Sequence, residues 1–145
     1  MNASGFVFQD HTADIQVESW GPSLEEAFSQ TALSLMTIIS PNLGFVNPKV
    51  EKKIKIKAED KKALLFDFLS EFLYLFDVEE LIFSKIIVKS INQVNDQYEI
   101  NALVKGEKFD KSRHEIGTEV KAVTYSFMTI EENEDKIKVR IVFDI

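Results

Sequence analysis

Two breaks in the C-terminal half of the chain, Asn-Asp-Gln at residues 95–97 and Glu-Glu-Asn-Glu-Asp-Lys at residues 131–136, are rich in turn formers and too short for a crossover helix. Parallel neighbours need a dozen or more connecting residues, so the strands flanking these breaks must pair antiparallel. The flanks read as strands by their period of two: Ile86 and Val88; Tyr98, Ile100, Ala102 and Val104; Ile137, Val139, Ile141 and Phe143. Ile15 with Val17, and Ile54 with Ile56, mark earlier strands in the same way.

Helical periodicity interrupts this pattern twice. Over residues 23–39, Leu24, Ala27, Phe28, Thr31, Leu35 and Ile39 recur at steps of three and four, which places them on one helix face. Ser23 followed by Glu26 is a capping-box signature for its start, and Pro41 and Gly44 mark its end. A second helix is predicted over about residues 60–76, with a broad apolar face of Leu64, Leu65, Phe68, Leu69, Phe72, Leu75 and Phe76. The order is strands, helix, strand, helix, then several strands. That order predicts an α+β fold of mostly antiparallel sheets with two main helices, and the two helix-then-strand passages suggest a weak internal repeat. At 145 residues and 45% hydrophobic content, the chain is expected to form one domain, residues 1–145, around its own core.

Composition removes several classes of function. With no cysteine there can be no disulfide, thiolate zinc site or thiol nucleophile. The N-terminal residues lack a basic segment followed by an apolar run, and no stretch reaches the length of a membrane span, so a soluble, cytoplasmic protein without membrane contact is expected. A formal charge of −7 repels phosphate backbones on average, and no independent RNA binding is expected from it. An acidic surface suits a basic partner or a cation instead. No phosphate-binding or dinucleotide-binding glycine loop is present, and no catalytic triad is recognisable.

Three groups of residues could carry chemistry. Asp10, His11, Thr12, Ala13 and Asp14 precede and open the second strand, where Asp14 shares the polar side with Gln16 and Glu18. Such a turn is most often a hydrogen-bonded loop, but Asp is also a standard ligand for hard cations. At the C-terminus Val139, Ile141 and Phe143 take one face, and Arg140, Val142 and Asp144 the other; Asp144 and the carboxylate of Ile145 are then adjacent. An ordinary solvated strand end is the commoner role of such a pair. The third group runs from His114 to Tyr125. There Gly117 and Thr118 mark a turn into a β-branched run, and Lys121 suits either a salt bridge or a contact to a partner or nucleotide. His11 and His114 have no third nitrogen or sulfur donor at metal-motif spacing.

The runs DHTADIQVESWGPSLEEAF, LLFDFLSEFLYLFD, GTEVKAVTYSFM and the final IVFDI, in this order and over most of the chain, resemble the archease family. The resemblance implies a fold of strand-helix-strand-strand modules, one inserted in or added to the other. It also implies a non-catalytic accessory protein of an RtcB-type RNA ligase, acting in tRNA splicing and RNA repair by promoting ligase guanylylation and multiple turnover, with a further chaperone or modulator role described for the family. By the same resemblance the metal ligands fall on Asp14, Asp144 and, through its carboxylate, Ile145. Lys121 falls on the family's VKA lysine, and Lys121, His11 and Asp10 are the candidate contacts to the ligase. Three carboxylates at one sheet edge favour a hard divalent cation, Ca2+ ahead of Mg2+ or Mn2+. Ser126 stands where many members carry histidine, and Glu115 where proline is common. The rival readings are a metal-dependent hydrolase using the same carboxylates with His11 as base, and a general chaperone.

Overall fold

The computed structural model describes residues 3–10 and 13–145. Its elements are β1 (Gly5–Asp10), β2 (Asp14–Gly21), α1 (Leu24–Ile39), β3 (Val50–Ala58), α2 (Lys61–Glu79), β4 (Leu81–Val94), β5 (Gln97–Lys108), β6 (Ala122–Glu132) and β7 (Ile137–Asp144). The strands form two antiparallel sheets, ordered β1-β2-β7-β6 and β3-β5-β4. Both tight breaks are hairpins, as expected. In the first, Asn95 and Asp96 sit at φ 49° and 65°, the paired left-handed residues that match the twist of the flanking strands and that Asn and Asp tolerate.

The predicted repeat exists as topology. The segment β3-α2-β4-β5 lies in sequence between α1 and β6, and the remaining strands form β2-α1-β6-β7 around it, with β1 added at the edge. In each unit the last strand is central, giving β2-β7-β6 and β3-β5-β4. Both helices touch both sheets: α1 packs on β2 and β4, α2 on β6 and β3. The interior is therefore shared, and Phe28, Phe68, Phe72, Phe83 and Phe143 from the two units are all fully buried in it. Phe72 meets Phe68 and Phe83 edge-on at 5.0 and 5.9 Å, the arrangement that ring quadrupoles favour.

Local signals set the helix starts. Ser23 Oγ accepts the N–H of Glu26 at 3.1 Å, and Asp60 accepts that of Ala63 at 2.8 Å. The second helix continues to Glu79, past the predicted end at residue 76, and stops at Glu80, whose φ of 57° turns its N–H back onto Leu75 and Phe76. The Gly117–Thr118 pair differs in role from its sequence reading as the entrance to a strand. Strand β6 begins only at Ala122, and the N–H groups of Gly117 and Thr118 bond the Ile39 and Ile38 carbonyls at 2.9 and 2.8 Å, capping the last turn of α1. A Cβ on Gly117 would overlap the Ile38 carbonyl oxygen. Gly117→Ala should therefore cost about 1–3 kcal/mol, read as a lower urea midpoint at unchanged slope; an unchanged midpoint would show that the loop yields without cost.

Among the described residues no helix is long and apolar enough to cross a membrane.

Candidate functional site

Pairing register brings the sequence candidates together. Asp14, the first residue of β2, lies directly opposite Asp144, the last of β7, and Asp144 in turn lies opposite Ala122 of β6. Directly opposed residues share a face, so the two carboxylates project from the same side of the sheet. The Lys121 N–H bonds the Asp144 carbonyl at 2.8 Å, and the Ile145 N–H bonds the Ala13 carbonyl at 3.3 Å. Ile145 packs its side chain against the core, which holds its main chain at this sheet end. Asp14, Lys121, Asp144 and Ile145 thus converge from three separate parts of the sequence. His11 lies outside the described residues, as does the side chain of Asp10, whose backbone pairs with Ile15.

The face that carries these carboxylates is the open side of the four-stranded sheet. Its charge is arranged unequally. Glu18, further along β2, has both Lys138 and Arg140 at 3.5 Å from its carboxylate oxygens. Asp14 and Asp144 have no cationic side chain in ion-pair contact among the described residues, and Lys121 is exposed and likewise unpaired. Two like charges directly opposed on neighbouring strands are destabilising, and a bound cation would relieve them. The donor set is all oxygen, which fits a hard divalent ion better than zinc. No three His, Cys, Asp or Glu residues are grouped to hold an ion among the described residues, so a third protein donor from among them would be a main-chain, terminal-carboxylate, amide or hydroxyl oxygen.

A feature without a sequence signal stands beside the carboxylates. Between Thr124, opposite Val142, and Thr129, opposite Arg140, strand β6 carries four residues where β7 carries one. The resulting bulge is pinned at both ends. Tyr125 stacks on Phe66 of α2 with ring centroids 4.4 Å apart, and Met128 is buried. The Ser126 N–H rests on Thr124 Oγ1 at 3.2 Å. Phe127 is left 78% exposed at φ 56°, a conformation costly for a bulky residue. With Asp14, Gln16 and Val142 it lines a cavity of about 210 Å³.

A second group that sequence reasoning missed holds the connection leading to Lys121. Glu107, almost fully buried, accepts from Arg113 Nη2 at 2.5 Å, His114 Nε2 at 3.0 Å and the Asn47 N–H at 2.6 Å. The Asp110 N–H donates to His114 Nδ1 at 2.9 Å, so the imidazole hydrogen is on Nε2 and points to Glu107. The Arg113 hydrogen bond, joined by those from Asn47 and His114, outweighs burial and holds the Glu107 carboxyl at about 2. Nothing in the strand pattern set Glu107 apart from its neighbours. The sequence showed His114 only as a histidine with no metal spacing, and its role is to be the partner of a buried carboxylate.

The sequence and the fold both have counterparts among known proteins. Residues 6–145 match the model of the Archease protein family (MTH1598/TM1083). The chain is 41% identical to an archease-like protein of Dictyostelium discoideum, over 97% of this chain and 93% of that one. It is 44% identical to an archease of Pyrococcus furiosus, over 87% of each. Its fold is similar to the solution structure of protein 1598 of Methanobacterium thermoautotrophicum, with a TM-score of 0.82 and 32% identity over 97% of this chain and 99% of that one. With a family match over nearly its full length and relatives above one-third identity, the chain belongs to the archease family.

Proposed function

We propose that this protein is a non-catalytic activator of an RtcB-type RNA ligase in tRNA splicing and RNA repair, promoting guanylylation of the ligase and its multiple turnover. The observation that carries the reading is the direct opposition of Asp14 and Asp144 without a cationic neighbour. In this reading Asp14, Asp144 and the Ile145 carboxylate hold a divalent cation, Ca2+ ahead of Mg2+ or Mn2+. The ion supplies charge neutralisation there and, with most of its shell left to water or partner oxygens, a point of contact for the ligase. Lys121, exposed beside the pair, engages the guanylylation centre, and Phe127 supplies an apolar contact at the same edge. The main-chain bonds from Lys121 to Asp144 and from Ile145 to Ala13 couple the positions of these groups.

The test is ligation by a limiting amount of the cognate ligase with GTP and Mn2+, with and without this protein. Stimulation is expected, and it should fall at least tenfold with Asp144→Ala or Lys121→Ala. Turnover of nucleotides or RNA ends by the protein alone would replace this reading with the hydrolase; stimulation unchanged by both substitutions would remove the carboxylate site from the mechanism.

A further inference from the structure

The net charge of −7 conceals a basic face at the other sheet. Side chains alternate across β3, β5 and β4, and the helices cover only one side. The open side carries Lys53, Lys55 and Lys57 from β3, Lys85 and Lys89 from β4, and Lys105 from β5, against the acidic residues Glu51 and Glu99. Lys55 and Lys57 share Glu99 at 3.9 and 3.6 Å, and Lys105 has Glu51 at 3.7 Å. Lys53, Lys85 and Lys89 have no ion-pair partner among the described residues. Lys85 lies directly opposite Lys105, a like-charge cross-strand pair that lowers stability and that an anion would relieve. In the middle, Lys53, Lys55, Lys89, Asn101 and Leu103 line a shallow depression of about 300 Å³.

We infer that this face binds the phosphate backbone of a single-stranded nucleic acid. Alternate residues along a strand are about 6.8 Å apart, so Lys53, Lys55 and Lys57 present a straight, evenly spaced row of charges. Such a row suits the regular phosphates of an extended single strand better than the irregularly placed carboxylates of a folded acidic protein. The residues between the lysines fit the same occupant: exposed Ile87 and half-buried Leu103 give an apolar floor, and Ser90, Asn92 and Asn101 give hydrogen-bonding groups. None of the β3, β5 and β4 residues on this side is aromatic, so the sheet offers no base-stacking platform and binding is independent of sequence. The face belongs to the other sheet from Asp14 and Asp144, and the inference does not rest on the ligase reading.

The experiment is fluorescence anisotropy of a 5′-labelled oligouridylate of about 12 nucleotides, with the protein alone in low salt. Saturable binding is expected, weakening with salt at a log–log slope of about −2 to −3, as for three or four neutralised phosphates on a single strand. The combined substitution Lys53→Glu, Lys55→Glu and Lys89→Glu should reduce affinity more than tenfold, the milder Lys→Gln set at the same positions should reduce it in the same direction, and Lys62→Glu with Lys111→Glu should leave it unchanged. No binding, or equal loss from the Lys62 and Lys111 changes, would overturn the proposal. Competition by polyglutamate as effective as by unlabelled oligonucleotide at equal charge would overturn it in favour of an acidic protein partner.

Discussion

Asp144→Asn is expected to raise the melting temperature of the metal-free protein and to abolish the further rise that the proposed cation site would give the parent chain in calcium. The first effect follows from removing one of two opposed carboxylates, worth about 0.2–1 kcal/mol, or a shift of roughly 1–4 °C for a chain of this size. The second is larger. Calcium at about a hundred times its dissociation constant would stabilise the folded state by about 2.7 kcal/mol, a rise of roughly 5–10 °C. Asp14→Asn should behave in the same way, because register makes the two aspartates equivalent partners across β2 and β7. A chain extended beyond Ile145 should also lose part of the calcium response. If calcium raised the melting temperature of both single variants as much as that of the parent, the cation would bind elsewhere, whatever the ligation assay showed.

Among the described carboxylates, Glu107 should make the largest single contribution to the pH dependence of stability. Its folded-state value of about 2 lies well below the ordinary glutamate value of 4.5. A depressed carboxylate stabilises the fold fully above its unfolded value, so the contribution is complete above about pH 5 and is lost as pH falls from about 4.5 toward 2. The size is about 2–3 kcal/mol, reduced somewhat because Arg113 is partly solvated. Urea denaturation should find Glu107→Gln less stable than the parent by about this amount at pH 7, with the two curves converging near pH 2. A constant difference from pH 7 down to pH 3 would mean that Glu107 contributes by packing alone. The consequence reaches the candidate site, since this cluster holds the connection that caps α1 and then delivers Lys121 to Asp144.

Much of the fold was legible because its signals are local. The Ser23 cap, the tight Asn95–Asp96 turn and the alternation of β7 each act over a few residues, and the structure places them as read. The repeat was faintly visible and proved to be a repeat of connection rather than of residues, which no sequence pattern need preserve. The capping role of Gly117 has no local signal because the helix end it caps is far away in sequence. Glu107 and Phe127 were not legible: one is defined by three distant donors, and the other by extra residues that only the register with β7 reveals. The expectation that the protein would not bind RNA rested on summed charge. Summation discards position, and the proposal for the β3-β5-β4 face depends on position entirely.

By itself the sequence determined the hairpins, the two helices, their buried faces and the polar side on which Asp14 and Asp144 fall, because period and turn chemistry act between near neighbours. Tertiary structure decided which polar residues meet. Pairing of β2 with β7 set one aspartate against the other, and pairing of β3 and β4 with β5 gathered the lysines on the opposite sheet. Those encounters depend on strand register, a relation between distant segments that the shared core fixes once both helices are packed.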